Sequence, residues 1–108
     1  FNSFFEWVIR DGKKQLIKFS PTTNDTMWAP CLWDEWESPN AEVKFKSFAI
    51  ITSGPTKEIQ EMGHDRCPIF IKEDLIDSWL NPRDMSRDDI YEILNNPKNE
   101  LFKYEWAN

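Results

Sequence analysis

Glycine is scarce in this sequence, with three in 108 residues, at Gly12, Gly54 and Gly63. They are too scattered to build a loop that cradles phosphate, and nothing reads as a βαβ nucleotide-binding unit. Cysteine and histidine are scarcer still. Cys31 and Cys67 stand far apart with no C-x-x-C, and His64 is the single histidine, which speaks against a disulfide framework or an all-protein zinc site. Both thiols are expected to be ordinary buried or half-buried side chains. No apolar run approaches the roughly 18 residues that span a bilayer. The start lacks a basic n-region and a cleavage site, so a soluble, intracellular protein is expected. Positive charge is in deficit: 13 Lys and Arg against 19 Asp and Glu give a net charge of −6. That balance argues against broad, nonspecific affinity for nucleic acid.

What the chain does have is aromatic mass. Six Trp and eight Phe, with 40% hydrophobic residues overall, exclude a disordered or low-complexity chain and predict a packed core in one domain at most. The sequence opens without Met inside an aromatic run and closes in Tyr104-Glu105-Trp106-Ala107-Asn108, where a strand is forming. Residues 1–108 are therefore expected to be part of one domain, incomplete at both ends. Edges such as Phe4-Phe5 and Trp106 are expected to need strands from outside.

Phe4 to Arg10 is aromatic and β-branched around one acid. Asp11-Gly12 then leads into Gln15 to Phe19, which predicts a β-hairpin. Thr26 to Trp33 reads as a third strand, demoted near its end by Pro30, so that a three-stranded meander is the simplest outcome. Glu35 to Glu42 reads as a loop, and Val43 to Thr52 as a long strand with a buried centre. Thr56 to Met62 predicts a short helix that Gly63 ends, and Cys67 to Ile71 a short strand. Leu75, Ile76, Trp79 and Leu80 share one helical face after acids in the first turn. Ser86 followed by Asp89 is an acid variant of the capping box, before the stripe of Ile90, Ile93 and Leu94. Strands first and mixed elements later argue for an α+β domain on an antiparallel sheet or open barrel.

Two residues stand out chemically. Glu6 lies between Phe5 and Trp7, so it either points to solvent from an edge strand or sits where a carboxyl is poorly solvated and suited to proton transfer. His64 lies in the loop Gly63-His64-Asp65-Arg66, where an imidazole is either structural or a proton carrier oriented by Asp65 or Arg66. A dyad of His64 with Cys67 is disfavoured, because neighbours on an extended segment point apart. Thr52 and Ser53 end the long strand, either as a plain polar exit or as donors to a phosphate or carbonyl. Trp28, Trp33, Trp36 and Trp79 exceed what a small core buries and offer stacking faces to unpaired bases. Lys13, Lys14, Lys18, Lys44, Lys46 and Arg66 are candidates for a local positive track.

At Phe5-Glu6-Trp7, Gly12-Lys13-Lys14-Gln15, Leu32-Trp33-Asp34-Glu35-Trp36, Phe48-Ala49-Ile50-Ile51-Thr52, His64-Asp65-Arg66-Cys67-Pro68 and Ser78-Trp79-Leu80, the chain resembles the SOS response-associated peptidase (SRAP) family. The blocks run in order from about Phe4 to Leu80, and their combination is far more specific than any one of them. Leu101 to Trp106 is similar to the aromatic strand near the family's C-terminal end.

The resemblance implies an α+β fold with a distorted, barrel-like antiparallel sheet and short peripheral helices. It also implies a DNA-damage function: recognition of an abasic site in single-stranded DNA and covalent attachment to it. The nucleophile would be a cysteine exposed when the protein removes its own initiator Met, forming a thiazolidine with the ring-opened sugar. That cysteine, with an asparagine and an arginine that hold the DNA backbone, would lie outside these residues. Glu6 matches the catalytic glutamate of Met release and ring opening, and His64 the catalytic histidine of the Schiff-base stage and of reversal. DNA contacts are implied for Thr52, Arg66 and Trp7, with no cofactor and no metal. A monomer in the cytoplasm, at the nucleoid when acting on DNA, is expected. Leu16 departs from a usual proline, Pro30 from a usual glycine and Cys67 from a usual methionine, none of them at Glu6 or His64. The rival readings are a cysteine-type peptidase acting in trans and a noncatalytic module that stacks on single strands.

Overall fold

Asp11 and Gly12 both take positive φ, 51° and 72°, the backbone that a two-residue hairpin turn requires. They join β1 (Phe4–Arg10) to β2 (Lys13–Pro21) in register from Phe4 opposite Phe19 to Arg10 opposite Lys13. The computed structural model describes residues 1–107. In chain order the remaining elements are β3 (Cys31–Glu37), β4 (Lys44–Ile50), β5 (Thr52–Ser53), α1 (Lys57–Glu61), β6 (Cys67–Pro68), α2 (Ile76–Leu80), α3 (Arg87–Asn95) and β7 (Phe102–Trp106). Single 3₁₀ turns at Glu73–Leu75 and Pro82–Asp84 flank α2.

The fold is α+β, and the described strands form three antiparallel sheets rather than one closed barrel: β1-β2-β7, β3-β4 and β5-β6. The expected meander does not form. Thr26 to Pro30 carries no ladder, β3 begins only after Pro30, and it runs on to Glu37, so that the loop expected from Glu35 to Glu42 begins only after Glu37. Proline lacks the N–H that a ladder uses, so the strand starts beyond it. The neighbour of β2 is instead β7, with Ile17 opposite Trp106 and Pro21 opposite Phe102. Phe4 and Trp106 each pair with β2 on one side, and β1 and β7 are the outer strands of that sheet. The strand expected over Cys67 to Ile71 shrinks to Cys67–Pro68. Its continuation is held by single hydrogen bonds, from Ile69 N–H to the Ile51 carbonyl (3.0 Å) and from Ile71 N–H to the Trp28 carbonyl (2.8 Å).

The core forms where β1, β2 and β7 meet α1 and the segment after β6. Val8, Ile17, Phe19, Met27, Ile59, Cys67, Phe70 and Phe102 pack in one buried cluster. Phe4 stacks on Phe19 at 5.3 Å between centroids and meets Phe102 edge-on at 5.6 Å. Full burial of each large apolar side chain stabilises by roughly 1.5–3 kcal/mol, so this cluster is what fixes β1 beneath α1. On α3 the capping box read from sequence is present: Asp89 N–H donates to Ser86 Oγ (3.1 Å), and Ser86 N–H donates to the Asp89 carboxylate (2.9 Å).

β4 overturns the expectation of a buried centre, because every residue from Lys44 to Ile50 is exposed. The β3-β4 hairpin projects from the core, and the radius of gyration of 16.8 Å exceeds the about 13 Å of a compact chain of this length. Apolar composition measures what a strand is able to bury, and here no other described element covers this one.

Candidate functional site

Residues alternate across a strand, so Phe4, Glu6 and Val8 share one face of β1, while Phe5, Trp7 and Ile9 share the other. Burial follows that division: Val8 is buried, Phe4 and Glu6 are half-buried, and the other three are exposed. Glu6 is therefore on the core side, opposite Ile17 on β2.

His64 reaches the same place from the far side of α1. Ile59, fully buried, pins the helix onto the core. The helix ends as Gly63 N–H donates to the Gln60 carbonyl (3.0 Å) and His64 N–H donates to the Ile59 carbonyl (3.2 Å). Gly63 turns the chain at φ 92°, a left-handed conformation that glycine adopts without strain. The imidazole then extends over β1, with its Nε2 3.0 Å from Glu6 Oε2. Both side chains are mostly withdrawn from water, 21% and 27% exposed, which strengthens an interaction that solvent would otherwise screen. The other ring nitrogen, Nδ1, lies 2.8 Å from the Arg66 carbonyl.

Arg66 is anchored in turn. Its Nη2 donates to the Thr52 carbonyl and to Thr52 Oγ1, each at 2.8 Å, and its Nε donates to Oγ1 at 3.1 Å. Thr52 and Ser53 are therefore more than a strand exit: β5 pairs with β6 through Thr52 opposite Pro68 and Ser53 opposite Cys67. Glu6, His64, Arg66 and Thr52 form one connected group. Trp7 does not join it; its ring lies on the other face of β1, under the Lys14 ammonium at 5.2 Å.

Cys67 is next to this group and chemically quiet. Burial, with the negative charges of Glu6 and Glu58 added, outweighs the opposing hydrogen bond to the Thr56 backbone and pushes the thiol up to about 11. It is protonated at neutral pH and a poor nucleophile. Cys31 is a half-buried free thiol. Among the described residues no group of three or more His, Cys, Asp or Glu side chains is arranged to hold a metal ion, and no helix is long and apolar enough to cross a membrane.

Of the tryptophans expected to offer faces, Trp28, Trp33 and Trp36 are about half exposed or more. Trp33 and Trp79 line an apolar groove of about 370 Å³ between the β3-β4 hairpin and the helices, which neither Glu6 nor His64 touches. Of the lysines expected to form a positive track, Lys44 pairs with Glu35 at 3.0 Å, and Lys46 lies 5.3 Å from the Trp33 ring centre. What sequence reasoning missed is the part played by main-chain atoms: a carbonyl at position 66 leaves no mark on residue type.

A half-buried carboxylate and imidazole in contact, held on a hairpin and a helix-ending loop, are an acid–base pair by geometry. The family model for SOS response associated peptidase (SRAP) matches residues 1–107, and the chain belongs to that family. Two curated relatives from Bacillus subtilis (strain 168), the abasic site processing proteins YoqW and YoaM, are each 28% identical over 94 residues, 86% of this chain. The matched stretch is 41% of YoqW and 40% of YoaM, so the chain spans about two fifths of the length of these relatives. A solved structure of a Bacteroides thetaiotaomicron protein superposes with a TM-score of 0.79 at 19% identity, over 99% of this chain and 47% of that one. One from Bordetella bronchiseptica gives 0.77 at 15%, over 99% and 52%. These likenesses show the fold.

Proposed function

We propose that this chain belongs to a protein that processes abasic sites in single-stranded DNA, and that Glu6 and His64 are its proton-transfer pair. The observation that carries this reading is the 3.0 Å contact between Glu6 Oε2 and His64 Nε2 in a half-buried setting, in a chain of the SRAP family whose relatives are named for abasic-site processing.

In this reading the nucleophile is an N-terminal cysteine that lies outside residues 1–108, uncovered when one water hydrolyses the bond to the initiator Met. Its amine condenses with the aldehyde of the ring-opened sugar, releasing one water and leaving a Schiff base. Its thiol then adds across the C=N bond to close a thiazolidine. Glu6 takes a proton during Met release and assists ring opening, and His64 delivers or removes the proton at the Schiff-base stage and in reversal. Arg66, Thr52 and Trp7 are assigned to DNA contact. Cys67 is excluded as the nucleophile by its burial and raised pKa.

The test is to mix the full-length protein with single-stranded DNA carrying one abasic site and run the products on a denaturing gel. The expected result is a denaturation-resistant band that depends on the lesion. Absence of the band, from protein whose intact mass shows a free N-terminal cysteine, would overturn the reading. Cleavage of unrelated peptides would then favour a peptidase acting in trans, and salt-sensitive binding without an adduct a noncatalytic module.

A further inference from the structure

A histidine that moves a proton through one nitrogen needs its other nitrogen committed, because the partner of the second atom decides the tautomer of the first. His64 Nδ1 faces two atoms of the same residue that make opposite demands. The Arg66 carbonyl at 2.8 Å requires a proton on Nδ1. The Arg66 N–H at 3.3 Å requires a lone pair there. The first distance lies well inside the ordinary hydrogen-bond range of about 2.7–3.2 Å and the second lies outside it, so the carbonyl wins. With that proton on Nδ1, the 3.0 Å contact between Nε2 and Glu6 Oε2 needs a second proton, carried by either the ring or the carboxyl group.

What holds the Arg66 main chain there is its own side chain. The guanidinium fork is fixed on Thr52 by three hydrogen bonds, and Thr52 is itself fixed in the β5-β6 ladder that continues from Arg66 into Cys67 and Pro68. We infer that the Thr52–Arg66 clamp is a positioning device for His64: it seats the Arg66 carbonyl on Nδ1 and so makes Nε2 the working nitrogen. Thr52 and Arg66 act here through His64 and not on the reacting atoms. Of the titratable groups, Glu6 on β1 touches the ring at Nε2, and Arg66 in its own loop, next to Asp65, meets Nδ1 through its main chain.

This inference rests on the proposed role of the Glu6–His64 pair, and its test has a readout that needs no DNA. The full-length protein, with histidine labelled by ¹⁵N, is titrated by NMR, and the His64→Gln variant identifies the His64 ring signals. In wild type and in Thr52→Ser, which keeps the hydroxyl, Nδ1 is expected to stay protonated throughout while Nε2 titrates. In Thr52→Val, which removes the hydroxyl from an exposed strand position, the neutral ring is expected to divide its proton between the two nitrogens. Adduct formation at saturating DNA is expected to slow about tenfold or more in Thr52→Val and to recover in Thr52→Ser. A wild-type ring that loses its proton from Nδ1, or a Thr52→Val ring with an unchanged assignment, would overturn the inference. A wild-type protein that makes no adduct would sink the functional reading instead, leaving the nitrogen assignment to be judged by itself.

Discussion

At the scale of single residues, the chemistry turns on one polar side chain on the inner stripe of β1 and one ring brought to it. Glu6→Gln keeps the shape but removes the proton site. It is expected to leave the fold intact and to slow Met release or adduct formation about a hundredfold, read by intact mass and by the denaturing gel. His64→Ala is expected to slow conversion of the Schiff base or reversal of the adduct by a similar factor, measured by release of DNA after a chase with competitor. Wild-type rates in either variant would remove that residue from the mechanism.

Cys67 makes a prediction of the opposite kind, about stability instead of rate. Its thiol is raised from 9.0 to about 11 by burial, so the folded chain retains a proton that the unfolded chain gives up. The corresponding stability is fully present below pH 9 and lost as pH rises through about 11, at most roughly 2–3 kcal/mol. Denaturant melts between pH 8 and 11 are expected to show this slope and Cys67→Ala to lack it. Sequence alone left Glu6 open between solvent and a sheltered site, because strand alternation gives two faces without saying which is covered. The covering residues, Ile59 and Phe70, come from segments far along the chain.

At the scale of elements, signals carried by neighbouring residues were legible and signals carried by distant ones were not. The Asp11-Gly12 hairpin, the Ser86 capping box and the helix that Gly63 ends all depend on residues within a few positions of one another, and all three form. The pairing of β2 with β7 joins segments some eighty positions apart, and nothing local distinguishes it from the expected pairing with the next strand. Gly63 links element to site, since its φ of 92° is the bend that sends His64 over β1. A methyl group there would meet only Ile9 O and Val8 Cβ at 3.9 Å, so space is not the obstacle. The cost is the left-handed backbone, about 1–2 kcal/mol for any side chain. Gly63→Ala is expected to lower stability by about that amount and to weaken adduct formation as His64 shifts. A variant with the stability loss and full activity would mean that the loop holds its aim without the glycine.

At the scale of the whole molecule, the same aromatic content serves two surfaces with different fates. One set, around Phe4, Phe19, Phe70 and Phe102, closes into the core that supports Glu6. The other, on the β3-β4 hairpin, stays open: Trp33 and Phe48 stand opposite each other in the ladder and are 68% and 72% exposed. Residue type does not separate these sets, which is why Val43 to Thr52 read as buried. An exposed apolar pair contributes little to folding and much to surface stickiness. In the 108-residue chain, replacing Trp33 and Phe48 together with Ser is therefore expected to change unfolding free energy by no more than about 1 kcal/mol, the sum of two ordinary surface changes. It is expected at the same time to lower the binding of a dye that reports exposed apolar surface. The loss of several kcal/mol with no change in dye binding would mean that the hairpin face is packed in solution, and that the core around Glu6 does not carry the fold alone.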